Sequence, residues 1–306
     1  MNYIILEPFE KLNVTFNGVS REKATQILRF ECPPHKMLAY CCLFDSYKST
    51  KKKGQLINVD FEQLCKLKEI DEIFSNLLLV DFLETEIAMK ARLLSDCADR
   101  GVSEFVVRQY VKTDEEYILT TYTAENRQIL TKYRDKKIDE LDLAQFLEAI
   151  QFGTFERLYN YVYNVLLPNE AKVLSGQEYV QNKIKSFGQF FPSARRLRNI
   201  VAHYEPLIPY VKNQGRYAIG EVVHLLRKGG IGEKSLSTNL KKSIVSDYVN
   251  FRFLSKSMQS DECFRINKSR TCDFIKTIKD KYSALYKNNS LLKSLFQFFV
   301  AVNEIV

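Results

Sequence analysis

The stretch that decides the fold is residues 71–94, DEIFSNLLLVDFLETEIAMKARLL, inside a longer segment of similar pattern from Asp60 to Asp99. Apolar residues recur there every three or four positions, which is the period of an amphipathic helix. The broad apolar face that we expect is formed by Ile73, Phe74, Leu77, Leu78, Val80, Phe82, Leu83 and Ile87. Gly101 follows the segment, and a glycine just past a periodic run is typical of a helix end. The pattern predicts one long helix over residues 60–99.

The composition extends this prediction to the rest of the chain. Of the 306 residues, only 11 are Gly and 7 are Pro. A β-sandwich or barrel needs far more turn residues, so the composition favours a mainly α protein with long helices. Residues 141–167 resume the helical pattern, and residues 243–306 predict one or two further amphipathic helices. The last of these is so apolar that we expect it to pack on the core or on another subunit.

The chain divides into three predicted regions. A Lys-rich loop ending at Gly54 closes a small N-terminal region, residues 1–54. A helical core is expected over residues 55–215. Residues 216–306 are expected to form a C-terminal helical extension that packs on this core.

Several classes of protein find no support in the sequence. The seven cysteines are odd in number and no CxxC occurs, so neither a disulfide framework nor a zinc site is indicated. No HExxH or GxSxG occurs either, and we expect no metal and no cofactor. Without a signal peptide or an apolar run of about twenty residues, the sequence predicts a cytoplasmic protein outside the membrane.

The strongest chemical signal is a basic segment that ends in a histidine, residues 193–210, SARRLRNIVAHYEPLIPY. Arg198 and His203 have the spacing Arg-x4-His, and Asn199 places an amide directly after the arginine. Pro206 and Pro209 stop any helix that carries the segment. Imidazole titrates near physiological pH, and guanidinium holds phosphate through paired donors. The alternative is that Arg198 and His203 only cap a helix C-terminus, where the helix dipole favours cations.

The phrase RNIVAHYEPL resembles the signature of the HEPN ribonucleases, and specifically the AbiD/AbiF abortive-infection branch of that superfamily. Two other segments are similar to the same branch: a glutamate with a basic residue four positions later, here Glu86 and Lys90, and QFGTFERLYNYV around Gly153. The resemblance extends over about residues 55–210. It implies a HEPN-type helical bundle with N-terminal and C-terminal helical additions. It also implies a metal-independent endoribonuclease that acts as an anti-phage toxin and is regulated by a bound noncoding RNA.

The resemblance also implies roles for individual residues. His203 would be the general acid or base, Arg198 the group that holds the phosphate, and Asn199 the group that orients phosphate or imidazole. Glu86, paired with Lys90, would support them. On an ideal helix Arg198 and His203 lie roughly 140° apart, so one copy makes a sparse site. HEPN nucleases build a composite site from paired domains, and we therefore predict a homodimer.

A net charge of +8 suits an RNA partner if the charge is clustered. The predicted RNA-binding residues are Arg195, Arg196, Lys51, Lys52, Lys53, Lys241 and Lys242. One alternative is a non-catalytic RNA-binding scaffold of a defence ribonucleoprotein, in which His203 has no chemical role. Another is a protein-binding adaptor that uses the apolar C-terminal helix. His224, set among apolar residues, is expected to be a half-buried core histidine rather than a catalytic one.

Overall fold

The computed structural model describes residues 4–49, 51–113, 138–167, 187–215 and 218–306. This part of the chain is mainly α-helical, as predicted, and its only β-pairing is three isolated bridges. The α-helices are α1 (Glu7–Lys11), α2 (Arg21–Phe30), α3 (Pro34–Ala39), α4 (Phe61–Asp99), α5 (Val106–Thr113), α6 (Leu143–Ala149), α7 (Phe152–Tyr161), α8 (Phe191–Ala202), α9 (Gly220–Lys228), α10 (Glu233–Asn239), α11 (Ser243–Met258), α12 (Asp261–Lys281), α13 (Ser283–Asn288) and α14 (Ser290–Ile305). Short 3-10 helices span Ile4–Leu6, Tyr40–Leu43, Ile138–Glu140, Gly188–Phe190 and Ile208–Lys212, and a π-helical turn spans Val162–Leu166. Within the described residues, no helix has both the length and the apolar character needed to cross a membrane.

The predicted long helix is confirmed as α4, and it ends as the sequence indicated. Gly101 has φ 67°, and its N–H donates to the carbonyl of Ala98 at 3.0 Å. The expected apolar face is only partly correct. Phe74, Leu78 and Phe82 are buried, whereas Ile73, Val80, Leu83 and Ile87 are 39%, 43%, 47% and 67% exposed. The segment is apolar over a wider arc than its neighbours cover, so periodicity alone overestimates the buried face.

The described residues form two compact units, and both are discontinuous in sequence. The first is drawn from residues 1–82, 196–256 and 261–306, and the second from residues 83–195 and 257–260. Both α4 and α8 run from one unit into the other. The division at residues 54 and 215 stays a prediction.

An aromatic cluster forms the core of the first unit. Phe74 of α4 stacks on Phe274 of α12, with ring centroids 5.5 Å apart. Phe296 and Phe299 of α14 contact the same ring at 5.9 and 5.5 Å. The apolar C-terminal helix therefore packs on the core, which was one of its two expected positions. Residues 243–306 form four helices where one or two were expected, because short breaks after Met258, Lys281 and Asn288 divide the pattern.

A second aromatic cluster forms the core of the second unit. Phe191 contacts Tyr159 and Phe155, with ring centroids 4.9 and 6.1 Å apart. Tyr159 and Tyr163 are buried side by side, and the Tyr163 hydroxyl donates to Asp96 at 2.5 Å. These tyrosines therefore stabilise the core and do not present their rings to solvent.

Candidate active site at the end of α8

The segment after α8 forms a left-handed helix cap. His203 directly follows the last helical residue, Ala202, and Tyr204 then takes the left-handed position with φ 51°. The Tyr204 N–H donates to the carbonyl of Val201 at 3.2 Å, and the Glu205 N–H donates to that of Ile200 at 3.0 Å. This pair of hydrogen bonds defines a Schellman motif, whose left-handed position is usually glycine. The helix therefore ends before the prolines that were expected to stop it, and it leaves His203 exposed at its end.

Lys36 of α3 holds the carbonyl groups at this helix end. Its ammonium donates to the carbonyl oxygens of His203 and Tyr204 at 3.2 and 3.0 Å. It also pairs with Glu205 at 3.3 Å. A cation is favourable at a helix C-terminus, where carbonyl groups lack helical partners. The sequence did not indicate this residue, because Lys36 lies 167 positions before His203.

Asp71 of α4 holds the next part of the same segment. Its carboxylate accepts hydrogen bonds from the backbone N–H groups of Leu207 and Ile208 at 2.7 and 2.9 Å, and from the Tyr40 hydroxyl at 2.8 Å. Burial raises the pKa of Asp71 to about 7, against the opposing effect of these three donors. A carboxylate inside the apolar stripe of α4 was the available signal for this contact. Asp71 and Lys36 together fix the backbone on the C-terminal side of His203.

The three arginines of α8 differ in their partners. Arg196 donates two hydrogen bonds to Asp247, one of them from Nε at 3.0 Å. Arg195 pairs with Glu156 at 3.2 Å. Arg198 pairs with no carboxylate among the described residues, and its buried Nε has no hydrogen-bond partner there. Arg198 is therefore the arginine of this group whose charge is available to an anion.

The three predicted catalytic residues belong to one helix end in the first unit. Arg198 Nη1 lies 3.5 Å from Asn199 Oδ1, at the limit of a hydrogen bond. The His203 N–H still donates to the Asn199 carbonyl at 3.1 Å, so these two residues keep the helical spacing that puts them on one face. Asn199 and His203 are exposed and Arg198 is half-buried. The arrangement combines an accessible imidazole, an amide and a guanidinium that has no carboxylate partner in the part of the chain that the structure describes.

The predicted pair of Glu86 and Lys90 is present in the second unit. Lys90 Nζ lies 2.7 Å from Glu86 Oε1, and the side chains are 21% and 16% exposed. The Lys90 ammonium lies 5.9 Å from the centre of the Phe155 ring. The pairing is thus more buried than a surface ion pair. Its supporting role for Arg198 and His203 stays a prediction.

The remaining predicted RNA-binding residues are dispersed. Lys51, Lys52 and Lys53 are exposed in a turn, and Lys241 is exposed before α11. Lys242 is half-buried and donates to Asn239 Oδ1 at 2.9 Å. The charges of Arg195 and Arg196 already have carboxylate partners. RNA binding by all seven of these residues stays a prediction. The expectation for His224 is wrong: it is exposed on α9, because the buried face of that helix is formed by Val222 and Leu226.

A comparison with protein families identifies the family of the chain. The model of a family described as Abi-like protein matches residues 34–209, which is more than half of the 306 residues. The matched range begins at the start of α3 and ends at Pro209. It contains Lys36, Asp71 and the whole of α8 with His203. No curated protein and no solved structure matches the chain.

Proposed function

The chain belongs to the Abi-like protein family, and from this premise we propose that it is a cytoplasmic, metal-independent HEPN-type endoribonuclease and an anti-phage toxin. The family supports a role in abortive infection. The observation that carries the nuclease proposal is the guanidinium of Arg198, which lies beside Asn199, has no carboxylate partner among the described residues and shares its helix end with the exposed His203.

The reaction follows from the chemistry of these groups. The 2′-oxygen of the RNA attacks the adjacent phosphorus, and the bond to the 5′-oxygen of the next nucleotide breaks. The products are a 2′,3′-cyclic phosphate and a 5′-hydroxyl end. His203 takes the proton of the 2′-hydroxyl, and a second acid protonates the leaving 5′-oxygen. Arg198 stabilises the charge that grows on the phosphoryl oxygens, and Asn199 orients the phosphate.

A homodimer would supply the second acid. One chain offers one His203 in this arrangement, and a two-fold axis would bring a second His203 and a second Arg198 into the same site. Two exposed residues of α4 support an interface in the first unit. Ile73 and Val80 are seven residues apart, which is the spacing at which facing helices of two chains meet. We expect the native mass to be twice 35.7 kDa.

A nuclease toxin needs restraint, and a bound noncoding RNA would supply it. The net charge of +8 and the exposed turn with Lys51, Lys52 and Lys53 support contact with a polyanion. RNA that co-purifies with the protein would be the regulator.

One observation favours a non-catalytic RNA-binding scaffold as the second candidate. The imidazole of His203 makes no hydrogen bond within the described residues, although catalytic histidines are usually oriented by a partner. In a scaffold, Arg198 would position a phosphate and His203 would have no chemical role.

The deciding experiment compares wild type, His203→Ala and His224→Ala on end-labelled RNA with EDTA present. His224 is the matched control, because it is also an exposed histidine of the first unit. We expect wild type and His224→Ala to leave 2′,3′-cyclic phosphate ends, and His203→Ala to cleave at least ~100-fold more slowly. Equal cleavage by wild type and His203→Ala would refute the mechanism. RNA binding by both proteins with cleavage by neither would favour the scaffold.

A further inference from the structure

A groove of about 520 Å³ lies beside α8, entirely within the first unit. We propose that it binds one unpaired nucleobase of the RNA, next to the phosphate that is cleaved. This inference rests on the proposed function and adds a base-recognition subsite to it. The residues that carry the argument are Arg196, Asn199, Tyr210, Asn213, Gln214 and Ser243. We call this site the amide groove, and its volume lies in the range of about 300–1,000 Å³ typical of small-molecule sites.

Backbone contacts hold one wall of the amide groove in place. Gln214 forms an antiparallel bridge with Lys242, and the Gly215 N–H donates to the Lys241 carbonyl at 2.7 Å. The Ser243 N–H donates to the Asn213 carbonyl at 2.9 Å. A Cβ at Gly215 would lie 2.6 Å from the Ser243 Cα, so only glycine allows this close approach. The wall that carries Asn213 and Gln214 is therefore formed before any ligand binds.

The Arg196–Asp247 pair makes a second fixed surface. Asp247 is 4% exposed and receives two hydrogen bonds from the guanidinium of Arg196. A guanidinium held this way is planar and cannot turn, and such planes stack on nucleobases. The sequence predicted Arg196 as a phosphate ligand. Its geometry fits a stacking surface better, because its charge is already paired.

Three polar side chains of the amide groove, those of Tyr210, Asn213 and Gln214, have no hydrogen-bond partner within the described chain. The side-chain amides of Asn213 and Gln214 are exposed and make no hydrogen bonds to described residues, and neither does the Tyr210 hydroxyl. Each amide offers a donor and an acceptor, the combination found on the edges of nucleobases. The half-buried ring of Tyr210 adds an aromatic surface for stacking. Amides with an aromatic ring and a fixed guanidinium fit an unpaired base.

Two lysines near the amide groove supply contacts for the flanking phosphates. Lys212 and Lys242 form no ion pair with carboxylates in the described ranges. Burial is the larger cause of the lowered pKa of Lys242, and the nearby positive charge of Lys212 lowers it further. Such mutual repulsion is relieved when an anion binds between the two charges. Asn199 belongs both to the motif and to the amide groove, so the bound base lies next to the scissile phosphate.

The test measures binding and cut-site preference separately. Four fluorescent pentanucleotides, each of one base, are titrated against full-length His203→Ala protein, alone and with Asn213→Ala/Gln214→Ala or Tyr210→Leu added. Asn288→Ala is the control, because it removes an exposed amide outside the groove. We expect one pentanucleotide to bind at least ~10-fold more tightly than the others, and this preference to disappear in the double variant. Tyr210→Leu keeps apolar bulk and should weaken all four at least ~5-fold, through lost stacking.

Cleavage and crosslinking complete the test. The double variant, otherwise wild type, should cut random-sequence RNA with a changed base next to the cut, and more slowly at the sites that wild type prefers, because the base contact is lost. A 4-thiouridine pentanucleotide should crosslink to the peptide that contains Tyr210. Wild-type cleavage with unchanged base preference in the double variant would overturn the amide groove and leave the nuclease intact. Crosslinking at Tyr210 without any cleavage would support the groove and refute the nuclease.

Discussion

The buried pair of Asp81 and Arg252 should contribute several kcal/mol to the stability of the first unit. Arg252 is 0% exposed and Asp81 is 3% exposed, and Arg252 Nη1 donates to Asp81 Oδ2. Asp81 Oδ1 also accepts from the Ser255 hydroxyl at 2.8 Å and from the Asn267 amide at 3.3 Å. One carboxylate of α4 thus joins α11 and α12.

The expected magnitude follows from what each substitution leaves behind. Asp81→Leu leaves a buried guanidinium without its anion and removes the acceptor for Ser255 and Asn267. Breaking a buried pair in this way costs about 3–5 kcal/mol. Asp81→Leu combined with Arg252→Met replaces both charges with apolar groups of similar size, and such replacements are often nearly neutral. We expect the double variant to be more stable than Asp81→Leu by about 2 kcal/mol or more.

The assay is equilibrium urea unfolding at pH 7, followed by far-ultraviolet circular dichroism, on wild type, both single variants and the double variant. Equal m-values across the set are required for the cycle. Glu69→Ala is the matched control, since it removes an exposed carboxylate that pairs with Lys281 at 2.7 Å, and should leave the unfolding free energy nearly unchanged. A loss below about 1 kcal/mol in Asp81→Leu would refute the reasoning. The reasoning would also be refuted if the loss of unfolding free energy in the double variant equalled the sum of the losses in the two single variants.

Three further predictions concern the segment that follows His203. The pKa of Asp71 in the folded state, about 7, lies above its ordinary value, so the folded state binds this proton more tightly than the unfolded state does. The contribution of Asp71 to the free energy of unfolding therefore falls as pH rises from about 4 to 7. The stability difference between wild type and Asp71→Ala should therefore shrink by about 1.4 kcal/mol per pH unit there, and a pH-independent difference in urea unfolding would contradict this. Tyr204→Gly should raise the unfolding free energy by up to about 1 kcal/mol, because glycine accepts φ 51° without strain, whereas a loss would show that the tyrosine side chain matters more. Lys36→Met should lower the unfolding free energy by about 1–2 kcal/mol through the lost carbonyl contacts, Lys36→Arg should lower it less, and equal losses would exclude a charge effect.

Local patterns were predicted well because they depend on residues three or four positions apart. The extent of α4, its glycine end at Gly101 and the helix before His203 were all indicated by periodicity and cap residues. The pair of Glu86 and Lys90 was predicted for the same reason, since both lie on one helix face. The exposure of Ile73 and Val80 was not predicted, because the packing of other helices decides how wide an apolar face is covered.

The sequence by itself determined a mainly α chain, membership of the Abi-like family and a motif of arginine, asparagine and histidine at a helix end. Only the tertiary structure decided which arginine of α8 has no carboxylate partner within the described ranges, and what holds the segment after His203. Arg196 donates hydrogen bonds to Asp247, which is 51 positions away in the sequence, and Asp71 accepts one from the N–H of Leu207, which is 136 positions away. Adjacent arginines look equivalent in a sequence, and carboxylates contributed by distant parts of the chain distinguish them. Charge partners and buried acceptors depend on that long-range packing, which no local pattern encodes.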